Sequence, residues 1–333
     1  MTTTQTHNRF PFWNIIKVLL ALFLVGFVLL NTDLRQLPEL LRNISIPWLL
    51  FSVALFLSLT LLKTFQYYVL IKGNVTYAQL LSIVILQNAV SNFLASGAGI
   101  ASYLTILRVE HDVKISRSVI TFLLTKMGDL VALWLALLFS TLLVWPYIIL
   151  IRNIVLGLLG VIGLLIAVFF LTLLFRQKFV LFIHSVLDWL RLSRIQLIHK
   201  GLDMLKELSE IEQNKLFARL FTVFFLSFVY CAISIGWYYS TFMTFNFHTD
   251  IPIVIFINIL LQLISYVPIQ VFGGLGVAEA SSLYFWGIFG ITASVLAPVL
   301  VGSRILFYLI NLLPLTYLPF YAISVRKSEP YIR

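Results

Sequence analysis

Apolar runs of membrane-spanning length, separated by short polar punctuation, set the pattern of this chain. A run of roughly 20 apolar residues crosses a bilayer as a helix. Runs of that length fall at about residues 14–30, 47–70, 118–144, 148–175, 216–242 and 294–323. Ser45 and Pro47 open the second run, and Lys72, Gly73 and Asn74 close it as a turn signal. Trp145, Pro146 and Tyr147 form an interfacial turn of the aromatic-belt kind. The pattern predicts an all-α polytopic membrane protein built as a single membrane domain over residues 1–333.

Two regions break the pattern at membrane depth. Shorter helical pieces at about 77–94 and 100–109 flank Ala95-Ser96-Gly97-Ala98-Gly99, and pieces at about 251–269 and 277–289 flank a second glycine-rich break. That second break carries Pro268, Gly273, Gly274, Gly276 and the carboxylate of Glu279. Proline removes a backbone donor and glycine weakens the helical ladder. Irregular backbone survives in a bilayer only where protein or a water-filled cavity covers it. Both breaks are therefore expected to face a polar interior.

The two breaks also look like counterparts. LQNAVSNF from Leu86 resembles LQLISYVP from Leu261, and Gly97 and Gly99 recur as Gly274 and Gly276 at an offset of 177. Lys126 follows Gly99 by 27 residues, and Arg304 follows Gly276 by 28. The expected organisation is an inverted repeat of residues 47–144 and 216–323, each with a re-entrant helix pair followed by a full span. Transporters of this design hold substrate near the midplane between discontinuous helices.

Composition agrees: the chain is 61% hydrophobic and only 11% charged, against about a quarter charged for a soluble domain. The net charge of +10 reads as the positive-inside bias of cytoplasmic loops and not as a nucleic-acid surface, since no soluble basic domain is present. Basic residues cluster at Arg9/Lys17, Arg108–Arg117, residues 176–219 and the tail from Arg326. All fall on one side if each broken pair returns to the face it entered from, which puts both termini in the cytoplasm. Residues 176–215 hold helically spaced apolar residues among charges, as an amphipathic segment on the membrane surface would. That segment also fits a docking platform for a cytoplasmic enzyme.

Cys231 is the sole cysteine, and the five histidines are scattered, so no metal site or cofactor is implied. GGLG lacks the Lys-Ser/Thr of a nucleotide loop. No nucleophile–base arrangement can be composed, and the chain is not expected to be an enzyme. The chemistry lies instead in intramembrane charges: Lys126, Asp129, Glu279 and Arg304. Helices restarting after Gly99 and Gly276 would offer free amides to an anion. Arg304 and Lys126 could then grip a lipid phosphate, with Gln87, Asn88, Asn92, Gln262 and Gln270 as polar lining. The plainer alternative stands beside this: Glu279 caps its own half-helix, Lys126 pairs with Asp129 three residues on, and Glu279 pairs with Arg304.

The stretch VPIQVFGGLGVAEA, with Arg304 downstream, resembles the lysylphosphatidylglycerol synthase transmembrane-region family, which is similar to the flippase half of the multiple peptide resistance factor. Pro268, Gly273, Gly274, Gly276, Glu279 and Arg304 match its late motif; Gly97, Gly99, Lys126 and Asp129 fit its early one, with Lys where arginine is commoner. Ile100 to Tyr103 departs, lacking the Glu and Arg often found after the first break. The resemblance implies a lipid flippase or lipid-linked precursor translocase of a prokaryotic plasma membrane. Its expected partner is a membrane lipid with an anionic phosphate headgroup, and the other expectations are a cytoplasmic lipid-modifying enzyme and self-association. The aminoacyl-transferase domain of the fused proteins is absent from this sequence, so lipid synthesis is not expected.

Overall fold

The computed structural model describes residue 26 and residues 37–71, 75–175, 177–189, 213–266 and 272–321. The expected first span, the 72–74 turn, Pro268 and Gln270, the second half of the amphipathic segment and the basic tail lie outside the described residues.

The described chain is helical throughout. A short helix α1 (Leu37–Arg42) leads into α2 (Ile46–Leu70), then α3 (Tyr77–Phe93), α4 (Ser96–Val109) and α5 (Ile115–Leu143). After the Trp145 turn come α6 (Arg152–Phe175) and α7 (Gln177–Trp189). The second half repeats the order: α8 (Gln213–Thr244), α9 (Ile251–Ser265), a 3-10 turn at Phe272–Gly274, α10 (Val277–Ile288) and α11 (Ala293–Leu312). Among the described residues, five helices are long and apolar enough to cross a membrane, starting at Ile46, Arg117, Arg152, Ala218 and Ala293. The protein is a multi-pass α-helical membrane protein. Large apolar side chains such as Ile154, Leu164, Phe221 and Phe225 stand exposed on the outer helix faces, as a lipid solvent requires.

The helices flanking the two breaks have 17 (α3), 14 (α4), 15 (α9) and 12 (α10) residues, each below the roughly 20 that span a bilayer. They form two hairpins. Thr76 starts α3 with a reciprocal cap, its hydroxyl accepting from the Gln79 amide while the Gln79 side chain accepts from the Thr76 amide. The chain then turns at Leu94 and Ala95 alone, and α4 folds back along α3. This corrects the expected boundary: the helix restarts at Ser96, so Gly97 and Gly99 sit in its first turn and not in the break. Gly99 is needed there for close approach, because a Cβ would fall 2.6 Å from the Gln87 carbonyl oxygen and 1.9 Å from Ser91 Oγ. In the second hairpin α10 folds back along α9, with Phe256 meeting Phe289 at its far end.

The halves join along α2 and α8. Ser52 meets Thr241, Phe56 meets Trp237 and Gln66 meets Ser227. Residue numbers rise along one helix as they fall along the other, so the two run antiparallel. At the end of this seam the Ser45 amide donates to the Thr244 carbonyl (2.9 Å). The main core gathers Leu137, Ile148, Phe242, Phe256, Trp286 and Leu296. A smaller one packs Tyr67, Leu80, Tyr103 and Leu107 around the first hairpin.

Candidate functional site

The second break is shaped by its glycines. Gly273, Gly274 and Gly276 all have positive φ (63°, 79° and 81°), a region that side chains with a Cβ rarely adopt. Gly273 is fixed twice over, since a Cβ would also meet the Asn92 carbonyl oxygen and the Phe307 ring at 3.0 Å. From Gly276 the chain enters α10, and Glu279 reaches back to accept the Gly276 amide at 2.7 Å. Its other oxygen accepts from Arg304 Nε and Nη2. Arg304 Nη1 donates to the Gly273 carbonyl at 3.0 Å. Both charges are mostly buried, and losing either would strand the other at a cost of roughly 3–5 kcal/mol. The capping and pairing roles expected of Glu279 are both met by this one carboxylate.

The two breaks meet. The Phe272 amide donates to the Leu94 carbonyl at 2.9 Å, and Tyr308 Oη donates to the Phe272 carbonyl at 2.7 Å. Asn92 Nδ2 donates to Asn311 Oδ1 at 2.5 Å, and the Phe93 ring stacks on Tyr308. Irregular backbone from each half thus satisfies the other, which is how it is tolerated away from water.

Two cavities lie beside this junction. The larger, about 230 Å³, is lined by Glu279, Arg304, Gly273, Asn258 and Gln262, with an aromatic wall that includes Trp237 and Phe307. Trp237 Nε1 and Ser303 Oγ are buried there with no hydrogen-bond partner among the described residues. The smaller, about 110 Å³, is lined by Lys63, Lys126, Asp129, Ser227, Tyr230 and Tyr266. Gln262 and Ser265 line both, so the cavities share a wall.

Asp129 corrects one expectation. Its partner is not Lys126 but Lys63 on α2, at 2.6 Å, and its second oxygen accepts from Ser227 Oγ at 3.0 Å. Gln66 Nε2 donates to the same Ser227 Oγ at 2.9 Å, tying α2, α5 and α8 together. Gly128 permits this approach, since a Cβ there would lie 2.7 Å from Ser227 Oγ. Lys126 faces aromatic rings, with Nζ 4.9 Å from the centroid of Tyr266 and 5.7 Å from that of Phe122. It pairs with no carboxylate among the described residues. Lys63 Nζ lies 4.2 Å over Tyr230.

Of the residues singled out in the sequence, Arg304, Glu279, Gly273 and Gln262 line the larger cavity, and Lys126, Asp129 and Gln262 the smaller. Gly274 and Gly276 shape the break beside them. Asn88, Asn92, Gly97 and Gly99 line neither; Asn92 and Gly99 serve hairpin packing. Lys63, Ser227, Tyr230 and Asn258 were not anticipated. Lys63 was open to the same reasoning as Lys126, being a lone lysine inside an apolar span. The polar residues of α8 carry no such signal.

The described residues hold no cluster of three or more His, Cys, Asp or Glu able to hold a metal. Fold and site together define a polytopic membrane protein with a charged interior at two broken helix pairs. The chain belongs to the family described as lysylphosphatidylglycerol synthase TM region, whose model matches residues 14–314. No curated protein and no solved structure matches the chain.

Proposed function

We propose that the protein is a lipid flippase, moving a phospholipid or lipid-linked precursor between the leaflets of a prokaryotic plasma membrane. The observation that carries this reading is the pair of cavities, each with buried charged side chains in its lining, that share the Gln262–Ser265 wall where the two broken hairpins meet. A lone charge at the bilayer centre costs roughly 2.5–3.5 kcal/mol, yet this protein places Lys63, Lys126, Asp129, Glu279 and Arg304 beside two interior cavities. A purely structural interior would not need cavities next to its charges.

The repeated order of elements and the antiparallel α2–α8 seam support an inverted repeat, with rocking of one unit against the other as the exchange step. A headgroup occupies the polar interior while its acyl chains stay in lipid. Lys126 and Arg304 line the route, and Glu279 keeps Arg304 neutralised when the route is empty. Membership of a family described by a lipid synthase's membrane region supports a role in lipid handling.

The test is reconstitution in liposomes with a panel of headgroup-labelled lipids. Arg304→Ala and Glu279→Gln are each expected to slow movement of the transported lipid by about tenfold or more, as loss of a buried charge partner would. If neither alters movement of any lipid the wild type carries, the site is wrong. If the wild type moves none of them, the reading fails.

A further inference from the structure

The two cavities differ in charge, and the difference has a chemical consequence. In the larger one Arg304 and Glu279 cancel. In the smaller one Lys63 and Lys126 face a single carboxylate, Asp129, so one positive charge is left over. The surplus sits on or near Lys126, whose ammonium lies beside the rings of Tyr266 and Phe122 and pairs with no carboxylate among the described residues. Lys126 lies 27 residues after Gly99 on α5, and Lys63 reaches in from α2.

Resting on the translocation reading, we propose that this smaller cavity is the anion station of the route, selective for one negative charge: a phosphodiester, held by Lys126 and by Lys63 swinging part-way from Asp129. A phosphodiester makes the loaded cavity electroneutral. A phosphomonoester or diphosphate brings a second negative charge that nothing there balances, and an uncharged headgroup leaves the lysine unpaired. The volume of about 110 Å³ admits several water-sized groups, enough for a phosphate. Polar parts beyond the phosphate extend past Gln262 and Ser265 into the larger cavity, whose lining includes Asn258, Glu279 and Arg304. Asp129 is a positioning residue: it holds Lys63 in place, and Ser227 and Gln66 hold Asp129.

The experiment is calorimetric titration of the full chain in dodecyl maltoside at pH 7, where a phosphomonoester carries about 1.5–2 negative charges. The probes are dihexanoylphosphatidylglycerol, dihexanoylphosphatidic acid and uncharged dihexanoylglycerol, with glycerophosphoglycerol to separate a lipid headgroup from a water-borne phosphodiester. The diester is expected to bind at least about tenfold more tightly than the other two lipids. Lys126→Gln and Lys63→Met, which each remove the surplus charge, are expected to weaken it by about tenfold or more. Combining Lys63→Met with Asp129→Asn restores the surplus through Lys126 and is expected to recover most of the affinity, which misfolding could not. Asp129→Asn alone, with two surplus charges, is expected to shift preference towards dihexanoylphosphatidic acid. Equal affinity for all three lipids, or unchanged diester binding in Lys126→Gln, overturns the proposal. Selective binding without movement of lipid in liposomes sustains this station and sinks translocation; movement without selective binding does the reverse.

Discussion

Glycine illustrates how one residue type does separate jobs in this protein. Gly273 supplies a positive φ that permits the second break, whereas Gly99 supplies only the absence of a side chain. A hydroxyl such as that of Ser91 can rotate away from an added methyl, but the Gln87 carbonyl is helix backbone and cannot. Gly99→Ala is therefore expected to force α3 and α4 apart and cost about 1–3 kcal/mol. Gly97→Ala, with nothing within 4 Å of the added carbon, is expected to be neutral or to stabilise α4 by up to about 1 kcal/mol. Unfolding of the purified variants in mixed micelles distinguishes them; equal effects would show that the close approach at Gly99 does not matter. The sequence spacing alone made the two glycines look equivalent. Only the contact across the hairpin separates them.

At the scale of elements, the helices of both hairpins are shorter than the roughly 20 residues of a typical span, and the two hairpins bond to each other at their breaks. The Leu94 carbonyl and Phe272 amide would be orphaned at the break without their mutual bond. Asn92 and Asn311 pin α3 to α11 beside it. A double-mutant cycle of Asn92→Ala and Asn311→Ala is expected to give a coupling of about 0.5–1.5 kcal/mol, the range of interhelical hydrogen bonds in membranes. The half-buried Asn88, one turn away on α3, should show no coupling to Asn311. Gln87, Asn88 and Asn92 stood out in the sequence as polar residues within an apolar helix, and that much was legible. Which of them found a partner was not, because Asn311 lies 219 positions away.

For the whole molecule, α2 and α8 form the antiparallel seam about which the halves are proposed to rock. Ser52 Oγ and Thr241 Oγ1 stand 3.2 Å apart across it. Replacing both by cysteine in a Cys231→Ser background allows a reversible cross-link. The oxidised protein is expected to lose most lipid movement, about tenfold or more, and to recover it on reduction. If the locked protein keeps its full rate, exchange does not involve this seam.

The one-dimensional pattern determined the solvent, the class and the location of the breaks. Apolar run length sets what can cross a bilayer, and backbone broken by proline and clustered glycines within such a run needs cover from protein or water. It also marked Glu279 as a candidate cap of its own half-helix, because a carboxylate at the third position can accept the N-terminal amide, and offered its pairing with Arg304 as an alternative to substrate binding. Tertiary structure decided the charge partners. Local spacing offered Lys126 to Asp129, but the carboxylate goes to Lys63 on another helix, since Gly128 lets α8 bring Ser227 against Asp129 and α2 packs along that same α8. An ion pair is a matter of distance in space, and no spacing along one helix reports a lysine arriving from another.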